Sequence, residues 1–387
     1  MNYSQDILDR YEKNIQSRLR EIKKSLNKEH KIIAPGIVQY DFNDFEDLYR
    51  NVHPFVEPLC LNEYIFRGHS HSRYELKPTV KRNCKEKDSF EKEFRLLTQF
   101  AEKLVRRNIP IPNGGQHFIR SCEFRNTFNE WLPLEVLDFV AYARHAGLQT
   151  RMLDWTYDFW TAVYFAASGI IDEVREKISF EKKINYYMDF DDHSGIIDEV
   201  RKNISLEKNS NYYMDFDDHM VIWLFNLSLW RELTDDKRPR NPYGLYKSNL
   251  HFVTPDYHEN ANAYAQKGLL SYFALRKDNI NGESHVEVLE DWNRATEEED
   301  DNLSLDEYIA KGYERFMECD EYDDCPPIPI MLKFTIPVRE ALDIVDSIIC
   351  LGYTMSSIYP SAENCVKEIQ YEYEDDYKIL SDIFKNN

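Results

Sequence analysis

The chain has 387 residues and a formal net charge of −21, with 42% hydrophobic and 14% aromatic residues. That composition supplies core enough for one large domain with additions or for two ordinary ones. It also excludes general attraction to nucleic acid or anionic membrane, so any nucleic-acid contact needs a local basic cleft. Seven cysteines, at 60, 84, 122, 319, 325, 350 and 365, form no Cys-x-x-Cys pair, which signals neither a zinc site nor a disulfide framework and fits a reducing compartment. The N-terminus has no apolar h-region and no stretch approaches the ~18 apolar residues of a membrane span, so the expected localisation is cytoplasmic.

Residues Ser4 to Asn27 place Ile7, Leu8, Tyr11, Ile15, Leu19 and Ile22 at helical spacing and predict an amphipathic helix. "IVQYDFNDFEDLYRNV" predicts a strand and then a helix opened by Asn43 or Asp44. Tyr64-Ile65-Phe66 reads as the end of a strand, with Arg67 projecting from it and Gly68 permitting a turn or a close backbone approach. "DSFEKEFRLLTQFAEKLVRR" predicts a helix capped by Asp88 or Ser89, "NIPIPNGGQHFIRSCEF" a loop, and "EWLPLEVLDFVAYARHAG" a helix ended by Gly147.

An internal duplication follows. "SGIIDEVREKISFEKKINYYMDFDDH" at 168–193 recurs at 194–219 with five differences (Glu176/Lys202, Lys177/Asn203, Phe180/Leu206, Lys183/Asn209, Ile184/Ser210). Two copies do not make a solenoid, so one copy is expected to be dispensable within a single connection. Its Asp189, Asp191, Asp192 and His193 lack the Gly and final Glu of an EF-hand loop, and no metal is assigned.

Beyond it, "MVIWLFNLSLW", "KGLLSYFALR" and "PIPIMLKFTIP" read as strands. "WNRATEEEDDNLSLDEY" reads as an acidic surface connection, "VREALDIVDSIICLG" as a helix stopped by Gly352, and the end as a helical acidic tail. Without regular βαβ alternation, the fold class is α+β.

The segment "ARHAGLQTRMLDWTYDFWTAVYFAA" carries a polar turn at Gln149-Thr150-Arg151, then Met152 and Leu153 for the core, then Asp154-Trp155-Thr156 before a helix. Asp154 or Thr156 can cap that helix, and Arg151 can pair with Asp154.

Together with Phe66-Arg67-Gly68, this segment resembles the FRG-domain family. Four blocks stand in family order: "YIFRGHSHSRYELKPTVKR", "ARHAGLQTRMLDWTYDFWTAVYFAA", "NANAYAQKGLLSYF" and "LGYTMSSIYPSAENCVKEI", spanning about residues 40 to 372. Ser361-Ala362-Glu363-Asn364 departs from the family's Asp-Leu-Asp-Gly, and Met152 replaces a leucine. The resemblance implies an N-terminal helix at 1–34, an FRG domain at 35–372 with the duplicated insertion at 168–219, and a tail at 373–387.

The order of parts is also similar, more distantly, to ADP-ribosyltransferases: an early Arg-Gly, a Thr before a small-residue helix and a late carboxylate. That similarity implies a mixed or antiparallel β core with surrounding helices and NAD as cofactor. Arg67, Glu363 and Thr156 are then the catalytic candidates. Arg67, Gly68, His69, His145, Thr150, Arg151, Asp154, Trp155 and Gln266 would bind NAD.

The chemistry such a site needs is a pyrophosphate clamp, a hold on the ribose and a carboxylate near an oxocarbenium-like charge. Arg67 suits the clamp, Gly68 a close approach to the carboxamide, and Trp155 or a tyrosine the ring. His69, His71 and His145 are available as acid, base or hydroxyl-contacting groups. Glu283, Glu287 and Glu290 compete with Glu363 for the late carboxylate.

The family's setting implies a toxic effector of a toxin–antitoxin or phage-defence system, with an antitoxin partner. RNA or protein would accept ADP-ribose, with nucleic acid held by Lys77, Lys81, Arg82, Lys85, Lys87, Lys103, Arg106 and Arg107. A nuclease or phosphodiesterase, and a non-catalytic ligand or partner sensor, are the alternative readings.

Overall fold

The computed structural model describes residues 5–55, 64–82, 86–122, 130–190, 214–234, 250–256, 258, 260–276, 303–318, 329–371 and 375–385. In chain order the elements are α1 (Gln5–Leu26), β1 (Lys31–Ala34), β2 (Ile37–Asp41), α2 (Phe45–Phe55), β3 (Tyr64–His69), α3 (Glu86–Arg106), α4 (Gly115–Cys122), β4 (Glu130–Trp131), α5 (Leu137–His145), β5 (Leu153–Thr156) and α6 (Phe159–Phe190). There follow β6 (His219–Asn226), α7 (Leu227–Thr234), β7 (Leu250–Val253), α8 (Ala261–Ala265), β8 (Gly268–Phe273), β9 (Leu275–Arg276), α9 (Leu305–Glu318), β10 (Met331–Pro337), α10 (Ala341–Cys350), α11 (Met355–Ile358), α12 (Ala362–Tyr371) and α13 (Asp375–Lys385).

Eight strands form one sheet in the order β1-β2-β10-β6-β3-β5-β8-β7, and β4 pairs with β9 in a separate ribbon. In the large sheet β2 and β10 run parallel and the other neighbours antiparallel, so the α+β class holds with a mixed sheet. β3 pairs with β6 from Tyr64↔Asn226 to His69↔Val221, and with β5 at Phe66↔Thr156. Arg67 therefore sits in the interior of the sheet, held from both sides.

α6 lies across β3, and Gly68 sets how closely. A Cβ at Gly68 would overlap the carbonyl oxygen of Ala162 and stand 2.7 Å from the amide nitrogen of Ala166. Gly68 thus serves helix-on-strand packing, in the middle of a strand rather than at a turn. Phe66, two residues back, meets Phe159 edge-on at 5.5 Å. Tyr11, Ile15, Leu19, Ile22 and Leu26 of α1 are all buried in the same cluster as the sheet's centre, α6, α10 and α13. Each such burial contributes about 1.5–3 kcal/mol.

A second cluster gathers Phe90, Phe94 and Leu97 of α3, Phe118 of α4, Phe139 and Val140 of α5, Trp131, and Leu270 and Tyr272 of β8. β5 is the seam between them: Met152 just before it belongs to the second cluster, while Leu153 and Trp155 belong to the first.

Several expectations hold. Asp44 Oδ1 accepts from the amide of Asp47 (2.7 Å) at the start of α2, and Gly147 and Gly352 take positive φ just past α5 and α10. Others are corrected. α3 begins at Glu86, ahead of Asp88 and Ser89. Part of the expected loop at 108–124 is α4, which follows Gly114 in the left-handed region and buries Phe118. The apolar run at 220–230 divides, because Asn226 Oδ1 accepts from the amide of Leu229 (2.8 Å) and starts α7 where β6 ends.

The first copy of the duplication, expected within a single connection, is helical from Ser168 to Phe190 as the continuation of α6. Asp191, Asp192 and His193 lie outside the described residues, as do Glu283, Glu287, Glu290 and the acidic stretch up to 302. Among the described residues, no helix is long and apolar enough to cross a membrane.

Candidate functional site

Arg67 leaves β3 beside His69 and the backbone of β5. Its Nε donates to His69 Nε2 (2.9 Å), its Nη1 donates to the Asp154 carbonyl (2.6 Å), and Asp154 Oδ2 is 3.6 Å away. His69 faces the Tyr74 carbonyl through Nδ1 at 3.2 Å. One ring nitrogen must accept and the other donate, which makes His69 neutral. Burial holds it well below its ordinary value, and the Arg67 charge adds to that.

Arg144, in the last turn of α5, takes the Asp154 side chain. Nε donates to Oδ2 and Oδ1 (3.0 and 3.3 Å), Nη2 donates to Oδ2 (2.7 Å), and Nη1 reaches Thr79 Oγ1 (3.3 Å). Burial pushes the Asp154 carboxyl up, but Arg144 and then Arg67 outweigh it and bring it down to about 2. Burial draws Arg67 down to about 10, with the Asp154 charge opposing. Among the described residues, two guanidiniums thus share one ionised carboxylate, and a positive charge is left over. Arg67 is 14% exposed, Arg144 17% and Asp154 36% at the side chain, so the cluster opens to solvent. Among the described residues Arg67 Nη2 makes no hydrogen bond. Planar donors with leftover charge recognise carboxylate or phosphate oxygens.

The other predicted residues fall around this centre or away from it. His145 follows Arg144, receives a hydrogen bond on Nδ1 from Asn260 Nδ2 (2.5 Å) and is held below its ordinary value by burial. Thr156 Oγ1 donates to the Gln266 carbonyl (2.6 Å), and Gln266 Nε2 donates to the Ile358 carbonyl (3.3 Å). Both side chains are buried and tie β5 to the end of α11.

Arg151 does not pair with Asp154. It is buried in the second cluster, where its amide and Nε donate to Glu93 (2.6 and 2.5 Å) beside Trp131 Nε1 (2.9 Å). Thr150 is buried next to it, its Oγ1 accepting from the amide of Met152 (3.3 Å). Trp155 is 3% exposed and donates to Ser271 Oγ (2.8 Å), so it offers no stacking face. Gly68 is covered by α6 and cannot approach a ligand on that side. Glu363 stands exposed on α12, paired with Lys367 at 2.7 Å.

His71 is fully buried between two carboxylates, Nδ1 to Asp218 (2.8 Å) and Nε2 to Glu173 (2.9 Å). Burial pushes those carboxyls up, but the hydrogen bonds they accept hold both below the usual range. His71 is therefore a clasp between β3, α6 and β6. Of the basic stretches, Lys81 is buried with its ammonium 5.4 Å from the Phe273 ring, and Arg106 pairs with Glu102 at 3.4 Å. Lys85 and the side chain of Lys87 lie outside the described residues. Among the described residues, no group of three or more His, Cys, Asp or Glu side chains can hold a metal ion.

The sequence reading missed Arg144 and Glu93. Arg144 stood beside His145 in the quoted "ARHAG" block, and Glu93 broke an apolar face between Phe90, Phe94 and Leu97, the signal of a buried charge with a partner.

Residues 62–174 match the family model of the FRG domain. That segment holds β3, α3 to α5, β5 and the first half of α6, and with them Arg67, Arg144 and Asp154. It is narrower than the expected 40 to 372 and leaves Gln266 outside. Comparison with curated proteins and with solved structures gives no match.

Proposed function

We propose that Arg67 and Arg144 form the phosphate clamp of an NAD site and that the protein is an ADP-ribosyltransferase, the enzymatic part of a toxin or phage-defence system. The observation that supports this reading is the unsaturated pair itself: two guanidiniums on rigid elements share one carboxylate, and donors are left over at a partly open position. NAD supplies a glycosidic bond whose cleavage leaves positive charge on the ribose. Arg67 and Arg144 bind the pyrophosphate, and Asp154 spaces and orients the two guanidiniums. His69, neutral beside Arg67, fixes the Arg67 rotamer by accepting from Nε.

Labelled NAD incubated with the protein and with RNA, DNA or a protein fraction tests the proposal. Label transfer or NAD loss is expected in the wild type and is expected to fall at least tenfold in Arg67→Lys, because an ammonium cannot reproduce a bidentate contact. Full turnover in Arg67→Lys with an unchanged melting temperature would remove the clamp. No turnover in the wild type with any acceptor would remove the transferase.

A further inference from the structure

Tyr359 is the residue directly after α11, and its backbone is fixed from two directions. The carbonyl of Ile358 accepts from Gln266 Nε2 (3.3 Å), while its own carbonyl accepts from Asn364 Nδ2 (2.9 Å). Gln266 is in turn held by Thr156 Oγ1 (2.6 Å), two residues along β5 from Asp154. The ring rests edge-on against Phe165 of α6 at 5.9 Å, yet the residue is 36% exposed. Among the described residues its hydroxyl makes no hydrogen bond. That hydroxyl lies within the fields of Asp154 and Arg144; burial first, and then the Asp154 and Asp172 charges, push it up to about 12, so the phenol keeps its proton.

We propose that Tyr359 is the aromatic platform of the Arg67–Arg144 site, so that the ligand is a nucleotide: its planar ring stacks on Tyr359 while its phosphates lie on the guanidiniums. The inference rests on the NAD-site reading of the two arginines and adds the residue that holds the planar ring. Two observations and one general rule meet in it. An exposed aromatic ring held rigidly on an immobilised backbone loses little entropy on stacking. Base–aromatic stacking tolerates any planar ring. The buried Thr156–Gln266–Ile358 chain links the ring to the strand that carries Asp154, which makes Thr156 and Gln266 positioning residues.

Calorimetric titration of the full chain with NAD and, separately, with inorganic pyrophosphate tests it. The wild type is expected to bind NAD more tightly than pyrophosphate. Tyr359→Ala is expected to lose roughly tenfold in NAD affinity, the scale of one base stack, and nothing for pyrophosphate. Tyr359→Phe keeps the ring and is expected to bind as the wild type does. Gln266→Ala, which frees Ile358, is expected to weaken NAD binding partway and leave pyrophosphate alone. Equal losses for both ligands in Tyr359→Ala, or a loss in Tyr359→Phe as large as in Tyr359→Ala, would overturn the platform and leave the anion site standing. Pyrophosphate binding that is absent, or indifferent to Arg67→Lys, would overturn the anion site and the platform with it.

Discussion

Arg151 and Arg144 lie seven positions apart, each bound to a carboxylate, and they do different work. Arg151 and Glu93 are both fully buried, and Glu93 collects three donors from the Arg151 amide, the Arg151 Nε and the Trp131 indole. Charge balances and the pair closes on itself inside an aromatic cluster. At Asp154 the count is reversed: two guanidiniums converge on one carboxylate at a partly exposed position. A charge-balanced pair sealed from solvent can only hold structure together, whereas a pair with charge left over at a partly exposed position has binding capacity. Arginine–carboxylate pairing by itself does not tell the two apart; exposure and charge balance do.

The largest effect should come from opening the closed pair. Arg151→Met leaves Glu93 a buried charge with two of its three donors still in place, and a loss of about 3–5 kcal/mol of stability is expected in chemical denaturation. Replacing both partners, Glu93→Leu with Arg151→Met, removes the orphaned charge and is expected to recover much of that loss. If Arg151→Met cost less than ~1 kcal/mol, the contrast drawn here would collapse.

Asp154→Asn should cost less. The carboxylate is more than a third exposed, and solvent screens its pairs, so ~1 kcal/mol is expected. The sign with pH follows from the lowered carboxyl. Its contribution is complete above the ordinary value of 3.8 and fades as pH falls through about 2. A stability difference between wild type and Asp154→Asn that is flat from pH 7 to pH 5 and shrinks below pH 4 is the expected profile. A difference that shrank near neutrality would place the effect on another group. Activity should fall together with stability, since the two guanidiniums lose the group that orients them.

Much of this was legible in the chain because it is local. Tyr11, Ile15, Leu19 and Ile22 carry a helical period that the core uses unchanged, and Gly147 and Gly352 stop helices as their φ freedom suggests. Arg67, His69 and Asp154 were brought together by reading separate blocks side by side. The partner exchange was not legible: nearness in sequence pairs Arg151 with Asp154, but Arg151 turns into the second cluster to meet Glu93, 58 residues away. The burial of Trp155 was available from strand alternation, since it shares the inward face with Leu153. Gly68 could not be interpreted without α6, because what the missing Cβ admits is another element's backbone. Met188-Asp189-Phe190 is helical in α6, whereas the identical Met214-Asp215-Phe216 is irregular, with Met214 and Phe216 buried just before β6. No local rule separates two copies of one tripeptide; tertiary context does.

The smallest effect is expected from the largest edit, removal of 194–219. His71 takes Glu173 from the first copy of the duplication and Asp218 from the second. The counterpart of Asp218 in the first copy is Asp192, and deletion of 194–219 joins His193 directly to Met220. Once the last turns of α6 unwind so that Met188-Asp189-Phe190 takes the place of Met214-Asp215-Phe216, Asp192 stands where Asp218 stood, Glu173 is untouched, and the clasp keeps both carboxylates. The residues of β6 after His219 are unchanged, and shortening a connection alters closure entropy only slowly. The shortened chain is therefore expected to fold with stability within ~1 kcal/mol of the full one. The paired substitution sharpens this: Asp192→Asn should be silent in the full chain and cost about 1–3 kcal/mol in the shortened one, as the loss of one partner of a buried polar group does. In the full chain that cost belongs to Asp218→Asn. Insolubility of the shortened chain, or an Asp192→Asn penalty equal in both backgrounds, would show that the second copy packs into the core on its own account.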